Sequence, residues 1–578
     1  MTIPKNHEVI DFEALREEIS IASGPDIPLA VLSVPEMFDT AVARFADLPA
    51  IDFMDRVWTY RKLGDLVARA ARGFRRLGVT RGVNVGLFLP NSPYSVIAYF
   101  AVLKAGGTVV NFNPLYADRE IKKQIEDSGA KLMVTIDVPQ LTDKLLPIAR
   151  ETGVDHVVVC SMASALPFPK SLLYPIAKRA DISRLPRGKD IVKFSSLLKG
   201  RGRIETMDID PENDIAVLQY TGGTTGIPKG AMLTHANVTA NTLQCRHVFG
   251  VLKDGQERVL AVLPLFHVFA MTTIMNVGIH MGACLIPMPR FDMRQTLKAI
   301  AEKKPTYFPA VPSIYTAIAN NRKVGDYDLS SIRYCISGGA PLPVLIKTRF
   351  EKLTGCVLVE GYGLTESAPV AAANLPDGEN RSGSIGVPPP CTTIEIVSTE
   401  DRAVLVKRGE KGEICIRGPQ VMKGYWNKPD ETAGVFMGRR LHTGDIGVME
   451  DGGFVRIVDR IKDVILCGGY NIYPRMVEEA VYLHPKVEEC VVAGINHHLR
   501  GETVKAWIKI ADGETLTRSE LQEFLKDKLA QLEIPKLVEI RTEPLPKTMV
   551  GKLSRKILLE QEAEKASGQP IKKAAGLE

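Results

Sequence analysis

Across 578 residues the sequence is poor in the features that mark several common classes. Its nine cysteines are scattered, with no CxxC pair and no histidine cluster at metal-ligand spacing. That excludes a disulfide framework or zinc module and leaves reduced thiols in a cytoplasmic protein as the expectation. Lysine plus arginine number 73 against 67 aspartate plus glutamate, too slight an excess over this length to imply nucleic-acid binding. The opening MTIPKNHEVIDFEALREEIS mixes both charge signs and lacks an apolar centre, so no secretory signal is expected. The nearest approach to a membrane span, residues 259–288, is broken by Pro264, His267, Asn276, His280 and several glycines. A spanning helix needs about 20 predominantly apolar residues, so this stretch is expected to be buried interior. No internal repeat and no low-complexity tract is visible.

What is present is an α/β pattern, with 45% hydrophobic residues to build large cores. Short β-branched runs at 83–89, 108–111, 131–136 and 156–160 predict strands, and 92–105 predicts an apolar helix closed by Gly106 and Gly107. The piece from Pro167 to Arg203, rich in Lys, Arg, Ser and Pro, is expected to be a surface excursion whose basic residues are solvated rather than functional.

The most informative segment is Tyr220–Gly230, YTGGTTGIPKG, with four glycines and three threonines around Lys229. Glycine permits close backbone approach and positive φ, threonine hydroxyls and free N–H groups donate hydrogen bonds, and the lysine adds charge, a composition suited to phosphates. It is not a Walker loop, because Ile227 and Pro228 precede the lysine and Gly230 follows it; a P-loop ATPase is disfavoured accordingly. Downstream, Gly361-Tyr-Gly-Leu-Thr-Glu366 offers a flat aromatic, a hydroxyl and a carboxylate, enough to stack a purine, contact phosphate and hold a hard cation. Leu441-His-Thr-Gly-Asp445 brings a carboxylate to a tight turn, and Pro546-Lys-Thr-Met-Val-Gly-Lys552 places a lysine on a glycine-bearing loop. Taken singly, each also fits a core aromatic, a solvated acid or a surface charge.

In this order and at these separations the segments resemble the adenylate-forming superfamily of acyl-CoA synthetases, adenylation domains and firefly-type luciferases. The resemblance runs from about Phe38 to about Leu559 and takes in Leu263-Pro-Leu-Phe-His267, Ser337-Gly-Gly-Ala-Pro341, Gly424-Tyr-Trp426, Asp459-Arg-Ile-Lys-Asp463 and Gly468-Gly-Tyr-Asn-Ile-Tyr-Pro474. The phrases LQYTGGTTGIPKGAMLTH and VILCGGYNIYP are most similar to bacterial long-chain fatty-acid–CoA ligases.

That resemblance implies a large multi-subdomain N-terminal α/β domain (1–460), a small mobile C-terminal α+β domain (461–560) and a flexible tail (561–578). It implies ATP-dependent conversion of a free fatty acid to an acyl-adenylate and transfer to coenzyme A, with magnesium on Glu366. Lys552 would bridge the two anionic reactants, Thr365 would contact phosphate, and His267 would lie beside the carboxylate and acyl tunnel. Thr221, Gly222, Gly223, Thr224, Thr225, Gly226 and Lys229 would cradle phosphates. Gly338, Gly339, Ala340, Glu360, Gly361, Tyr362 and Gly363 would surround adenine, and Asp445 with Arg460 would hold ribose. Lys462 falls on the family's hinge, and Gly468, Gly469 and Tyr470 on the face that guides the thiol. Two positions depart from the pattern: Gly223 where many relatives have serine, and Met476 where they usually carry glutamate, which puts local pairing there in doubt. Medium-chain, dicarboxylic and arylalkanoic acids stay open as substrates, as does a catalytically silent acyl-adenylate-binding protein. A homodimer and peripheral attachment at the inner face of the membrane are likewise open.

Overall fold

The structure, a computed structural model, describes residues 19–200, 207–221, 228–497, 501–548 and 551–567. Local chemistry starts the first sheet where expected. Ser92 accepts the Ser95 N–H and the Ser95 hydroxyl accepts that of Ser92, capping the helix Pro93–Ala105, which ends on Gly106 at φ 92°. Every residue of this helix except Lys104 is buried, as an all-round apolar helix between layers must be.

Among the described residues there are four sheets. In the first, Lys229–Thr234, Ile215–Thr221, Thr108–Asn111, Asn84–Leu87, Leu132–Ile136, His156–Cys160 and Ile191–Lys193 lie side by side, parallel except for the first pair. The second runs Val370–Ala373, Val357–Gly363, Tyr334–Ser337, Tyr307–Ala310, Arg258–Ala261, Cys284–Pro287, Pro49–Phe53 and Arg56–Thr59, parallel within and antiparallel at both edges. Parallel strands covered on both faces demand continuous apolar runs, which is why four strands of the first sheet were legible, at 83–89, 108–111, 131–136 and 156–160. The stretch 259–288 lies inside: strand Arg258–Ala261, helical segments from Val268 to His280, then strand Cys284–Pro287. No described helix is long and apolar enough to cross a membrane.

The third sheet is antiparallel and carries Lys411–Arg417, Arg440–Met449 and Val455–Arg460. A short turn, Ile461–Asp463, then leads into the fourth sheet, which contains Ile465–Cys467, Gly501–Ile510 and Val487–His497 and has its own core around Val477, Val481, Val504 and Leu521. The chain is thus a large α/β N-terminal domain followed by a small α+β domain. The last helix, Arg555–Ser567, continues past the point where a flexible tail was expected, and Lys505 holds Glu562 at 2.6 Å. Residues 568–578 lie outside the described residues. The 167–203 excursion is on the surface, where the helix Lys170–Ala177 has no buried residue.

Candidate active site

Strand ends of three sheets and one hairpin of the small domain enclose a cleft of about 2440 Å³. Its lining includes Thr221, Lys229, His267, Gly338, Gly339, Ala340, Glu360, Gly361, Tyr362, Gly363, Thr365, Glu366, Asp445, Arg460, Lys462 and Lys552. Residues separated by more than three hundred positions therefore meet in one place. Gly222, Gly223, Thr224, Thr225 and Gly226 lie outside the described residues.

On one side, Asp445 and Arg460 are directly opposite in an antiparallel pair, and the carboxylate Oδ1 lies 3.1 Å from Arg460 Nε. Its Oδ2 accepts the Tyr362 hydroxyl at 2.6 Å. Burial and the neighbouring Asp445 charge push the Tyr362 phenol well above its ordinary range, so it stays a donor. Each carboxylate oxygen keeps a further lone pair for a sugar hydroxyl. The turn before Asp445 is fixed from beneath: buried Glu413 accepts the Gly444 N–H at 3.0 Å and pairs with His442 Nδ1 at 2.8 Å. Glu413 stands at a break in strand register, a tertiary feature with no signal in the sequence.

On the side expected to meet phosphate, Tyr425 joins two expected residues. Its hydroxyl donates to Glu366 Oε1 at 2.7 Å, and Lys229 Nζ sits 5.2 Å from its ring centroid and 3.7 Å from Glu431. Backbone bonds from Met422 N–H to the Glu366 carbonyl and from Trp426 N–H to the Gly230 carbonyl lace this segment to the elements that carry Glu366 and Lys229. Tyr425 lay within a motif of the resemblance, yet its bonding role could not be deduced from spacing.

Opposite lies Lys552. Its backbone closes a tight hairpin with Thr548, and the Gly551 carbonyl accepts the Ser313 hydroxyl at 2.7 Å, hooking the small domain to the large one. Desolvation, with Arg460 adding repulsion against the opposing pull of Asp445, lowers Lys552 from 10.5 to about 8. His267 is lowered to about 3 by desolvation and by Lys552, so its imidazole is neutral. Its Nδ1 accepts the Phe269 N–H at 3.3 Å, which assigns the proton to Nε2. Glu360 accepts the Leu342 N–H at 3.2 Å, fixing the chain beyond Ala340, and burial raises it to about 7 against the pull of Arg475.

A family model described as AMP-binding enzyme matches residues 38–426, and one described as AMP-binding enzyme C-terminal domain matches 476–552. The chain belongs to the AMP-binding enzyme family. It is 45% identical over 543 residues to a long-chain-fatty-acid–CoA ligase of Bacillus subtilis (strain 168), covering 93% of this chain and 96% of the relative. It is 40% identical to a long-chain-fatty-acid–CoA ligase of Escherichia coli O157:H7, with 92% and 94% covered. Among solved structures it is similar to ATP-bound MatB from Rhodopseudomonas palustris, with a TM-score of 0.79, 27% identity, and 92% and 99% covered.

Not every expected site residue of this AMP-binding enzyme reaches the cleft. Gly468 and Gly469 take positive φ of 60° and 84° in an open turn with nothing within 4 Å of a Cβ at either, and Tyr470 is exposed. None of the three lines the cleft in this arrangement. Met476 makes an apolar contact where pairing was in doubt. It packs with Tyr473 and Val464 against Ile446, Val448 and Val458, joining the helix Pro474–Tyr482 to strands of the large domain.

Proposed function

We propose that this AMP-binding enzyme is a long-chain fatty-acid–CoA ligase working in two half-reactions. A carboxylate is a poor electrophile, so one of its oxygens attacks the α-phosphorus of ATP and the bond to the β-phosphate breaks, releasing pyrophosphate and leaving an acyl-adenylate. The thiolate of coenzyme A then attacks the acyl carbon, and AMP leaves. The observation that carries this reading is the position of Lys552, a cation inside the cleft beside Gly339 and under the influence of both Asp445 and Arg460.

Fatty carboxylate and triphosphate repel each other, and Lys552 sets positive charge between them and holds them in line. Neutral His267 offers its Nε2–H to the acid without competing for charge. Thr365 and Thr221 donate to phosphate oxygens, Tyr362 stacks on adenine, the Gly338–Ala340 turn lets the base lie against backbone, and Asp445 receives the ribose hydroxyls. Glu366 suits a hard cation, since it brings an oxygen donor to the phosphate side with Tyr425 fixing its Oε1. Magnesium held there would neutralise polyphosphate charge. With Lys552 in the cleft the path to the acyl carbon is occupied, so transfer needs the small domain to turn about Lys462 and bring Gly468–Tyr470 inward. Long acids are favoured because each buried methylene contributes about 0.8 kcal/mol.

The test is exchange of labelled pyrophosphate into ATP, followed by thioester formation, across acids of increasing chain length. Acid-dependent exchange that is strongest with long chains is expected. Phosphate release without any acid, or nucleotide binding with neither reaction, would overturn the reading.

A further inference from the structure

The helix Lys170–Ala177 stands on the surface with none of its eight residues buried, although half of them are large and apolar or aromatic. Phe168, Leu172 and Ile176 recur at four-residue spacing and are 79%, 64% and 78% exposed, with Leu173 beside them at 56%. Single exposed aliphatics are ordinary, but a contiguous apolar patch marks a surface that meets an apolar phase. The patch is held in place at its root. Leu166 and Ala165 are buried, Arg56 Nη1 donates to the Leu166 carbonyl at 3.2 Å, and Lys170 pairs with Asp55 at 2.9 Å. Met54, next to Asp55 in the same hairpin turn, is exposed as well.

The charge around the patch is one-sided. Between residues 167 and 189 the sequence has six cations, Lys170, Lys178, Arg179, Arg184, Arg187 and Lys189, against the single acid Asp181. All six are exposed; Lys170 and Lys178 pair with Asp55 and Asp181, and Arg179, Arg184, Arg187 and Lys189 extend the basic surface beyond the helix itself. Apolar side chains projecting from a cationic rim are the composition of an interfacial helix on anionic lipid, where the chains enter the acyl boundary and the cations meet headgroup phosphates. We propose that Phe168–Lys189 is a docking surface for an anionic lipid bilayer, seating the enzyme on a membrane face. This proposal stands apart from the ligase reading, and its test measures the two separately.

The test is co-sedimentation of the full chain with vesicles of phosphatidylglycerol and phosphatidylcholine, or of phosphatidylcholine alone, at about 0.05 and 0.5 M salt. Binding to the anionic vesicles, weakened by high salt, is expected. The pair Phe168→Glu/Ile176→Glu should partition at least tenfold less, and Arg184→Glu/Arg187→Glu should lose the preference for anionic lipid. Neither pair touches the cleft, so exchange activity with a short, water-soluble acid should be unchanged, and that activity reports folding independently. No binding of the parent chain to anionic vesicles, or equal binding by both variants, would overturn the proposal. So would a dimer in sedimentation velocity that the apolar pair abolishes while vesicle binding persists, because the patch would then belong to a second copy of the chain.

Discussion

Lys552 rests against Gly339: a methyl group placed on that glycine would lie 2.7 Å from the lysine Cε and 3.2 Å from its Nζ. Gly339 also has φ 83°, a region that residues with a Cβ enter at a cost of roughly 1 kcal/mol or more. Gly339→Ala should therefore displace the lysine as well as strain the turn. Pyrophosphate exchange is expected to fall at least tenfold, with a far smaller loss in transfer from supplied acyl-adenylate. Equal losses in both half-reactions would mean that the glycine serves the adenine pocket and not the lysine.

Because Lys552 is lowered to about 8, its useful cation is lost one pH region earlier than for an ordinary lysine. The exchange rate at low substrate should decline as pH rises through about 8. Lys552→Ala should cost on the order of 10²–10³-fold in exchange and leave no such limb. Lys552→Arg should keep part of the rate while abolishing the limb, since a guanidinium does not titrate there. A limb retained in the arginine variant would assign the titration to another group.

Glu360 is 5% exposed and raised to about 7. The folded chain then binds a proton that the unfolded chain has released between about 4.5 and 7, so this group costs stability as pH rises through that window. Glu360→Gln keeps an acceptor for the Leu342 N–H and removes the charge. It should stabilise the protein by about 1–3 kcal/mol at pH 8 and by little near pH 4.5, read from denaturant midpoints at each pH. Equal effects at both pH values would contradict a buried carboxylate at this position.

Met476 packs between the domains in the arrangement that brings Lys552 into the cleft. Met476→Glu would put a carboxylate against Ile446 and Val448. Weakening that contact by about 1–2 kcal/mol should slow exchange roughly tenfold while transfer from supplied adenylate holds or rises. Unchanged exchange would show that this apolar contact does not govern the closed arrangement.

The strands at 108–111 and 156–160 were legible to the residue because buried parallel strands leave uninterrupted β-branched runs between glycine and polar stops. Tyr362, Glu366, Asp445 and Lys552, each singled out within a short motif, do line one cleft. The bonds by which one residue holds another were not legible. Tyr425 reaches across 59 positions to Glu366, Glu413 across 31 to Gly444, and Ser313 across 238 to Gly551. Such partners are chosen by sheet order and domain docking, which no local spacing encodes. The turn Gly468–Tyr470 shows the reverse case, a motif plain in the sequence that does not line the cleft.

Arg555, three residues after Lys552, grips Asp463 at 2.6 Å and Glu478 at 2.9 Å. The residues just after the lysine are thereby tied both to the turn where the small domain begins and to the helix behind it. On the proposed cycle, withdrawing the charge that builds the adenylate and clearing a route for the thiol become one movement. The enzyme would disarm the reverse of its first reaction in the same stroke that opens the second.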